Sequence, residues 1–524
     1  ERNAGLCLRQ DVRNLRFGVS GFLHRVGPSL YQKFPTAFGL VFRSHVIEFF
    51  VLVPFWAALE LVREGRLWVS LIVGWIYWTV AEAGGSYWMH SVVMEFSGYG
   101  PLASAALVMG ALLHLGGQYA VLGLLYAAVR RRGWSVGVAA VPTFVVVEWL
   151  YPTWFPVYLS NGLVLVPLLV QTADLGGVLL VTAFLVSINL LVFELLRWAL
   201  GRRRTPVRVA IFCISFLGFA MAYGAVRIAQ MDARAGVAPT VEVGVVQANV
   251  GIEEGQKDPA GGHRKHVSLS RQLETEGRVD LLVWPESSYR YPTFERNLPL
   301  LAPEVRTRRL KSPLLFGGIS GTQHEGVYSE LHNTVFFVDE EDVVSQAYDK
   351  VELLAFGEYV PLGKLFPILL ELTPNTGKYD RGHHLEPFRV GPWKVSTPIC
   401  YEDSLPRFMR KMVNHANPHL LLNLTNDAWF GDSFGALLHY RMAQFRAIEH
   451  RRYLVRATNT GVGGVIDPVG RALIETDIQQ PATFRATVGM MDGTTVYGRF
   501  GDWPGWLSLI VTLFLLVRRG TEHQ

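Results

Sequence analysis

The 524-residue chain carries 49 Lys and Arg against 44 Asp and Glu, a formal charge of +5, and 50% of its residues are hydrophobic while 18% are charged. A soluble domain is roughly 25% charged, so this balance excludes a single soluble globule, and equally a disordered or collagen-like chain. Three cysteines, sparse and odd in number, exclude a disulfide-stapled scaffold.

The apolar excess lies in the first 230 residues and at the extreme C-terminus. The chain begins with Glu1 rather than Met, so a natural start upstream of it is expected, and no apolar run follows the first basic residues as a cleaved signal peptide would require. Residues 49–59 form the weakest apolar run, preceded by Glu48, and 67–81 the next. Residues 102–129, 176–193 and 209–226 contain no Asp, Glu, Lys or Arg, and each approaches or exceeds the ~20 residues that cross ~30 Å of hydrocarbon. Shorter uncharged runs at 134–147 and 503–517 could equally be core helices, but their long neighbours favour the membrane. The count is seven spans, with an eighth expected before Phe49, where 34–42 is short for one.

Arginines cluster at Arg63 and Arg66, Arg130 to Arg132, Arg202 to Arg204 with Arg208, and Arg518 with Arg519. Two apolar runs separate each of the first three clusters from the next, while loops 82–101 and 151–177 contain no Lys or Arg. The positive-inside rule therefore puts the clusters in the cytoplasm and residues 229–499 outside it. The expected division is 1–228 as a transmembrane bundle, 229–499 as an extracytoplasmic domain, and 500–524 as a final helix with a cytoplasmic tail.

The polar insert reads as a folded α/β domain. Residues 240–250, 279–285, 313–319, 333–338, 395–400, 419–424 and 453–457 look like buried strands, and 435–451 shows helical spacing of apolar residues. In such alternating folds chemistry collects at strand ends. Three strand-end residues stand out: Glu286 after VDLLVWP, Lys350 in QAYDKVELLAFGEYVP, and Cys400 closing KVSTPIC. A thiol nucleophile, a base for its proton and a cation for the oxyanion make one complete set for acyl transfer. Taken singly, a strand cysteine is usually an inert hydrophobe and a strand-end Glu or Lys is usually solvated.

The words VWPES, AFGEYVPLGK, ICYED and LTNDAWFG, in that order, resemble the nitrilase (carbon–nitrogen hydrolase) superfamily. With the flanking spans and the YGRFGDWP stretch at 497–504, the chain is similar to the apolipoprotein N-acyltransferase family within it. In the membrane half the resemblance is carried by the number and order of helices, with Glu148-Trp149-Leu150 and Trp154-Phe155-Pro156 as weaker echoes. The resemblance implies a multi-span helical domain joined to a nitrilase-like αββα sandwich. It also implies a ping-pong reaction without metal or cofactor. Cys400 would take an acyl chain from a membrane phospholipid as a thioester. The α-amine of a diacylglyceryl-cysteine on an apolipoprotein would then receive that chain. Glu286 is the implied base, and Lys350 with the backbone N–H of Tyr401 the implied oxyanion partners. Glu358, Tyr401 and Glu402 take supporting places. The same resemblance implies a monomer in a bacterial inner membrane with its catalytic domain in the periplasm. One departure stands out: where the family often has Trp in a K-W-D-like context, residues 253–259 read EEGQKDP, which bears on substrate positioning near Gln256 to Asp258.

Residues 361–372, PLGKLFPILLEL, are apolar for a loop, either a lid dipping into lipid or a helix packed on the domain core. His383 and His384 lack partners at metal spacing, Cys7 sits near the terminus, and Cys213 lies inside a span. Asn423 fits a glycosylation pattern but belongs to an expected buried strand, and Gly461 to Gly464 lacks a phosphate-loop pattern. The arginine clusters are accounted for by topology, which leaves nothing for nucleic acid to explain. Two rivals remain: a membrane-anchored amidase using the same three residues on a small amide, and a non-catalytic scaffold or transporter. Only Glu148 and Glu194 place charge within the runs, both near their ends, which disfavours transport.

Overall fold

The computed structural model describes residues 48–201, 206–294, 310–324, 327–341, 343–363, 365–371, 373, 376–377 and 379–520. The expected eighth span, Cys7 and the arginines at 202–204 lie outside the described residues. The helical half comprises α1 (Val53–Leu61), α2 (Leu67–Gly85), α3 (Met89–Ser97), α4 (Pro101–Arg131), α5 (Val136–Leu150), α6 (Ala173–Ala199) and α7 (Val207–Ala235). Proline opens α4, where its missing N–H costs nothing. Four of these, α2, α4, α6 and α7, are long and apolar enough to cross a membrane. The other expected spans fall on shorter helices: α5, with Pro142 inside it, spans 15 residues, about 22 Å at 1.5 Å per residue. Helix α1 is shorter still, at 9 residues. Phe55 and Trp56 of α1 pack with Tyr126 of α4 and Phe144 of α5 in one apolar core. Outward, α2 presents Trp75, Ile76 and Val80, and α7 presents Ile211, Phe212 and Ile214, all exposed. An apolar belt of that extent requires lipid around it.

Helix α7 continues past residue 228 to Ala235, and Thr240 then opens β1 (Thr240–Gln247). With β2 (Leu281–Val283), β3 (Pro292–Phe294), β4 (Leu314–His324), β5 (Val327–Val338) and β6 (Val344–Asp349), it builds a first sheet. A second sheet contains β7 (Phe388–Val390), β8 (Trp393–Ser396), β9 (Leu420–Thr425), β10 (Tyr453–Thr458), β11 (Gly464–Ile466) and β12 (Ala472–Glu475). β13 (Ala482–Gly489) returns to the first sheet beside β1, giving the orders β13-β1-β2-β4-β5-β6, with β3 on β4, and β12-β11-β10-β9-β8-β7. The central pairs β1–β2, β2–β4, β8–β9 and β9–β10 are parallel.

Val243, Val283, Leu315 and Val335 of the first sheet meet Val395, Leu420, Leu422 and Val455 of the second in a dry inner layer. Helix α8 (Pro259–Leu273) covers the outer face of the first sheet through Leu273. Helices α9 (Pro406–Ala416) and α10 (Phe434–His450) cover the second through Met409, Met412, Tyr440 and Ala447. The result is an αββα sandwich. The chain then re-enters the apolar region as α11 (Trp503–Val517), another 15-residue helix. At its end Gly520 N donates to Arg132 O at 2.8 Å, so the second and last arginine clusters share one end of the bundle while the sandwich sits at the other.

Helix α6 is broken at Gly177, whose φ is +66° and where a Cβ would stand 2.6 Å from the Tyr497 ring, so only glycine fits. The freed Val178 N–H donates to Glu449 of α10 at 3.1 Å. Nearby, Asp174 accepts from Arg451 Nε at 2.9 Å, Arg227 Nε at 2.9 Å and Tyr223 Oη at 2.7 Å. The Arg451 and Asp174 side chains are 2% and 3% exposed, so this is a buried pair joining the two halves. Breaking such a pair strands a charge. Arg451→Met should therefore lower stability in detergent by about 3 kcal/mol. The exposed Arg234–Asp492 pair should cost under about 1 kcal/mol when broken by Arg234→Met. Thermal unfolding of the two variants checks the contrast, and equal losses would contradict it.

Candidate active site

Glu286, Lys350 and Cys400 lie in the segments that follow β2, β6 and β8 and meet at one edge of the sandwich. Glu286 lies just past β2, in a turn pressed on β4. A Cβ at Gly317 would stand 2.6 Å from Glu286 Cα, so a side chain there would displace the turn. Lys350 follows β6, and its N–H donates to Asn333 O of β5 at 2.8 Å. The ladder of β8 stops at Ser396, because Pro398 has no N–H to donate, and Ile399 regains only an isolated bridge to Leu424. Cys400 thus does not end the strand but opens a 3-10 turn, Cys400–Ser404, at φ +49°. That left-handed conformation costs an L-residue of order 1–3 kcal/mol and is sustained by its surroundings.

The Glu286 and Lys350 side chains are buried, and Cys400 is partly buried. Lys350 Nζ lies 2.8 Å from Glu358 and 3.7 Å from Glu286 Oε1. Asn333 Nδ2 donates to both carboxylates, at 2.7 Å to Glu286 and 2.9 Å to Glu358. Glu358 is fixed in turn by Leu354 N at 2.8 Å. The Cys400 thiol hydrogen bonds to Glu286 and lies within reach of the Thr425 hydroxyl. Burial raises the Glu286 pKa above the usual carboxylate range, against the pull of Lys350. Burial and then the Glu286 charge push the thiol well above its ordinary range. Burial works against the Lys350 ammonium too, yet Glu358 and Glu286 outweigh it and hold that pKa above the usual lysine range. The sulfur is accordingly held as the thiol and Lys350 as the ammonium.

Glu402 is a brace. It accepts from Val351 N at 2.7 Å, Glu352 N at 3.0 Å, Ile399 N at 2.8 Å and Tyr348 Oη at 2.9 Å, tying the lysine loop to the nucleophile turn. Tyr401 Oη donates to Trp154 O of the helical half at 2.6 Å, and the Phe155 ring lies 5.5 Å from the Tyr401 ring. Behind Cys400, His439 sits between Asp427 at 2.8 Å and Asp403 at 3.0 Å, and Arg456 pairs with both aspartates. Burial alone would raise the Asp427 pKa, but Arg456 and His439 bring it down to about 2. Burial and Arg456 oppose a proton on His439, while Asp403 and Asp427 outweigh them and raise its pKa.

Asn333, Asp403, Asp427, His439 and Arg456 escaped the sequence reading. Arg456 left a signal, since a charge inside the buried strand YLVRAT demands a partner. Of the expected segment 361–372, Lys364 and Leu372 lie outside the described residues; among the rest Leu362 is 65% and Leu365 68% exposed, and the one-turn helix Ile368–Glu371 buries nothing on the core. Among the described residues no group of three His, Cys, Asp or Glu has a metal-holding arrangement, and His383 and His384 are exposed. Asn423 is fully buried, donating to the carbonyls of Pro398 and Cys400.

The carbon-nitrogen hydrolase family model matches residues 242–482, and that of the apolipoprotein N-acyltransferase N-terminal domain matches 31–191. A protein named apolipoprotein N-acyltransferase from Geobacter metallireducens is 30% identical over 473 residues, covering 86% of this chain and 88% of its own. One of the same name from Gloeobacter violaceus is 28% identical, covering 98% of this chain and 97% of its own. A solved CN-hydrolase superfamily protein from Xanthomonas campestris matches at TM-score 0.36 and 19% identity, over 48% of this chain and 91% of that one.

The Asn333 amide stabilises ionised Glu286. Asn333→Leu removes that donor, so the Glu286 pKa should rise and the acid limb of the pH–rate profile for enzyme acylation should move up by about one unit. A limb that stays put, or moves to lower pH, would exclude Glu286 as the titrating base.

Proposed function

Because the chain belongs to the apolipoprotein N-acyltransferase family, a membrane-embedded N-acyltransferase family, we propose that it works by a ping-pong cycle on Glu286, Lys350 and Cys400. A membrane phospholipid is the donor, and the α-amine of a diacylglyceryl-cysteine on an apolipoprotein is the acceptor. The observation that carries this reading is the docking of the Cys400 turn on the helical half through Tyr401 and Trp154, which sets a partly buried thiol beside apolar helices.

In the first half, the Cys400 proton passes to Glu286 as Sγ attacks the ester carbonyl. The oxyanion that forms is met by the Lys350 ammonium and the Tyr401 N–H. Collapse breaks the ester C–O bond, and Glu286 returns the proton to the departing glycerol oxygen, releasing lysophospholipid. In the second half the acceptor amine attacks the thioester carbonyl and gives a proton to Glu286. The C–S bond then breaks, and that proton restores the thiol. Glu358 and Asn333 hold Lys350 and Glu286 in register, and Glu402 holds the two loops together.

A thioester persists only where water is scarce. Burial of Glu286 and Lys350 supports that condition, as does the Trp154–Phe155 segment over the nucleophile turn. The exposed apolar surface of 361–371 supports a lid that rests in lipid. The shared end of the arginine clusters, opposite the sandwich, supports a catalytic domain on the periplasmic side of the inner membrane. The division at 1–228, 229–499 and 500–524 is retained as the functional one, with α7 prolonged into the stalk of the catalytic domain. A single chain holds every residue the cycle uses, which supports a monomer.

Intact-mass analysis after mixing the purified protein with phospholipid tests the cycle. The wild type should gain one fatty-acyl mass and lose it to a lipopeptide amine, while Cys400→Ala should gain none. Lys350→Ala should slow adduct formation at least ~100-fold. Ammonia released from small amides, without lysophospholipid, would support a membrane-anchored amidase instead.

A further inference from the structure

Arg290 lies four residues beyond Glu286 at the same edge of the sandwich and is half-buried. It packs on the short helix Ile252–Lys257, where a Cβ on Gly255 would stand 2.7 Å from the guanidinium carbon. Among the described residues it makes no hydrogen bond or ion pair. On the short helix and its C-cap, the described carboxylates are engaged elsewhere: Glu254 accepts from Gly251 N at 3.3 Å, and Asp258 from Gly261 N at 2.8 Å and Arg264 at 3.3 Å. A guanidinium partly withdrawn from water without a counter-charge is costly, so its place calls for an anion.

The surroundings agree. Arg290 borders a small recess with Ser287, Ser288, Asn459 and His266. His266 is 2% exposed, donates through Nδ1 to Gly262 O, and has no partner for Nε2 among the described residues. The recess holds about 10 Å³, room for one water, so a larger anion would sit at its mouth on the open side of the guanidinium. Four residues of chain keep the Arg290 Cα within about 14 Å of the Glu286 Cα, and in a glycerophospholipid only a few bonds separate the ester carbonyl from the phosphate.

We propose that Arg290, beside the Glu286 turn, binds the phosphodiester of the acyl donor while Cys400 attacks its ester. This rests on the phospholipid-donor reading above. It makes Arg290 a donor-selecting residue that takes no part in proton transfer, and it gives the site a way to orient phospholipids that it lacks for neutral esters.

The test compares two acyl donors in the full-length protein in detergent: phosphatidylethanolamine, and the phosphate-free ester p-nitrophenyl palmitate. In Arg290→Ala the ratio of kcat/KM for phospholipid to kcat/KM for the phosphate-free ester should fall about ten-fold or more, chiefly through the phospholipid KM. Arg290→Lys, which keeps charge but not the bidentate fork, should fall in between. Equal losses on both donors would mean that Arg290 only supports the fold of the site, overturning the assignment. So would an unchanged ratio, the result expected if the guanidinium serves free phosphate. If the wild type took acyl groups from the phosphate-free ester but never from phospholipid, the donor reading itself would fail, independently of any Arg290 variant.

Discussion

A buried ammonium between two carboxylates is the constraint from which the rest of this structure follows. Lys350 sits 2.8 Å from Glu358 and 3.7 Å from Glu286, with Asn333 donating to both acids. With both carboxylates ionised, as the proposed cycle requires, one cation and two anions leave the cluster a single net negative charge. Through the proposed cycle that charge moves, from the Glu286 carboxylate to sulfur and then to the oxyanion, but its sum does not change. In a medium where creating charge is prohibitive, moving one charge around a fixed ammonium is the affordable course. The asymmetry of the distances suits this, since Glu358 holds the cation tightly and leaves Glu286 free to take a proton.

Holding that geometry needs rigidity on three sides. Glu402 fastens the lysine loop to the nucleophile turn through three backbone N–H groups and a tyrosine hydroxyl. The Asp403–His439–Asp427–Arg456 cluster backs the same turn with fully enclosed charges. The helical half closes the third side at Tyr401 and Phe155, and is itself locked to the sandwich at Asp174 and Arg451. The lipid-facing half thereby shares in shaping the site as well as anchoring it.

How far this was legible in the sequence varied with the physics of each part. Long uncharged runs fixed α4, α6 and α7, since only a helix satisfies its backbone in hydrocarbon. The short run at 134–147 is a helix of similar length, 15 residues, that continues across Pro142. Central strands announced themselves as apolar runs. β6 and β13 did not, because VSQAYD and ATFRATVG alternate with partly exposed positions at the sheet edges. Glu286, Lys350 and Cys400 were readable from local words, whereas Asn333 is one polar residue in a buried strand whose purpose appears only when those three segments converge. Asp174 and Arg451 are 277 residues apart, and no local pattern links them. The apolar segment 361–371 permitted two readings in sequence. Exposure of Leu362, Leu365 and Phe366 removes core packing from them.

The most direct measurement is a structure of the enzyme trapped after reaction with phospholipid, before any acceptor is added. The acyl carbon should be bonded to Cys400 Sγ, its carbonyl oxygen within hydrogen-bonding distance of Lys350 Nζ, and its alkyl chain running past Phe155 toward the helical half. An acyl chain attached to another residue, or a carbonyl turned away from the ammonium, would contradict the account at its centre.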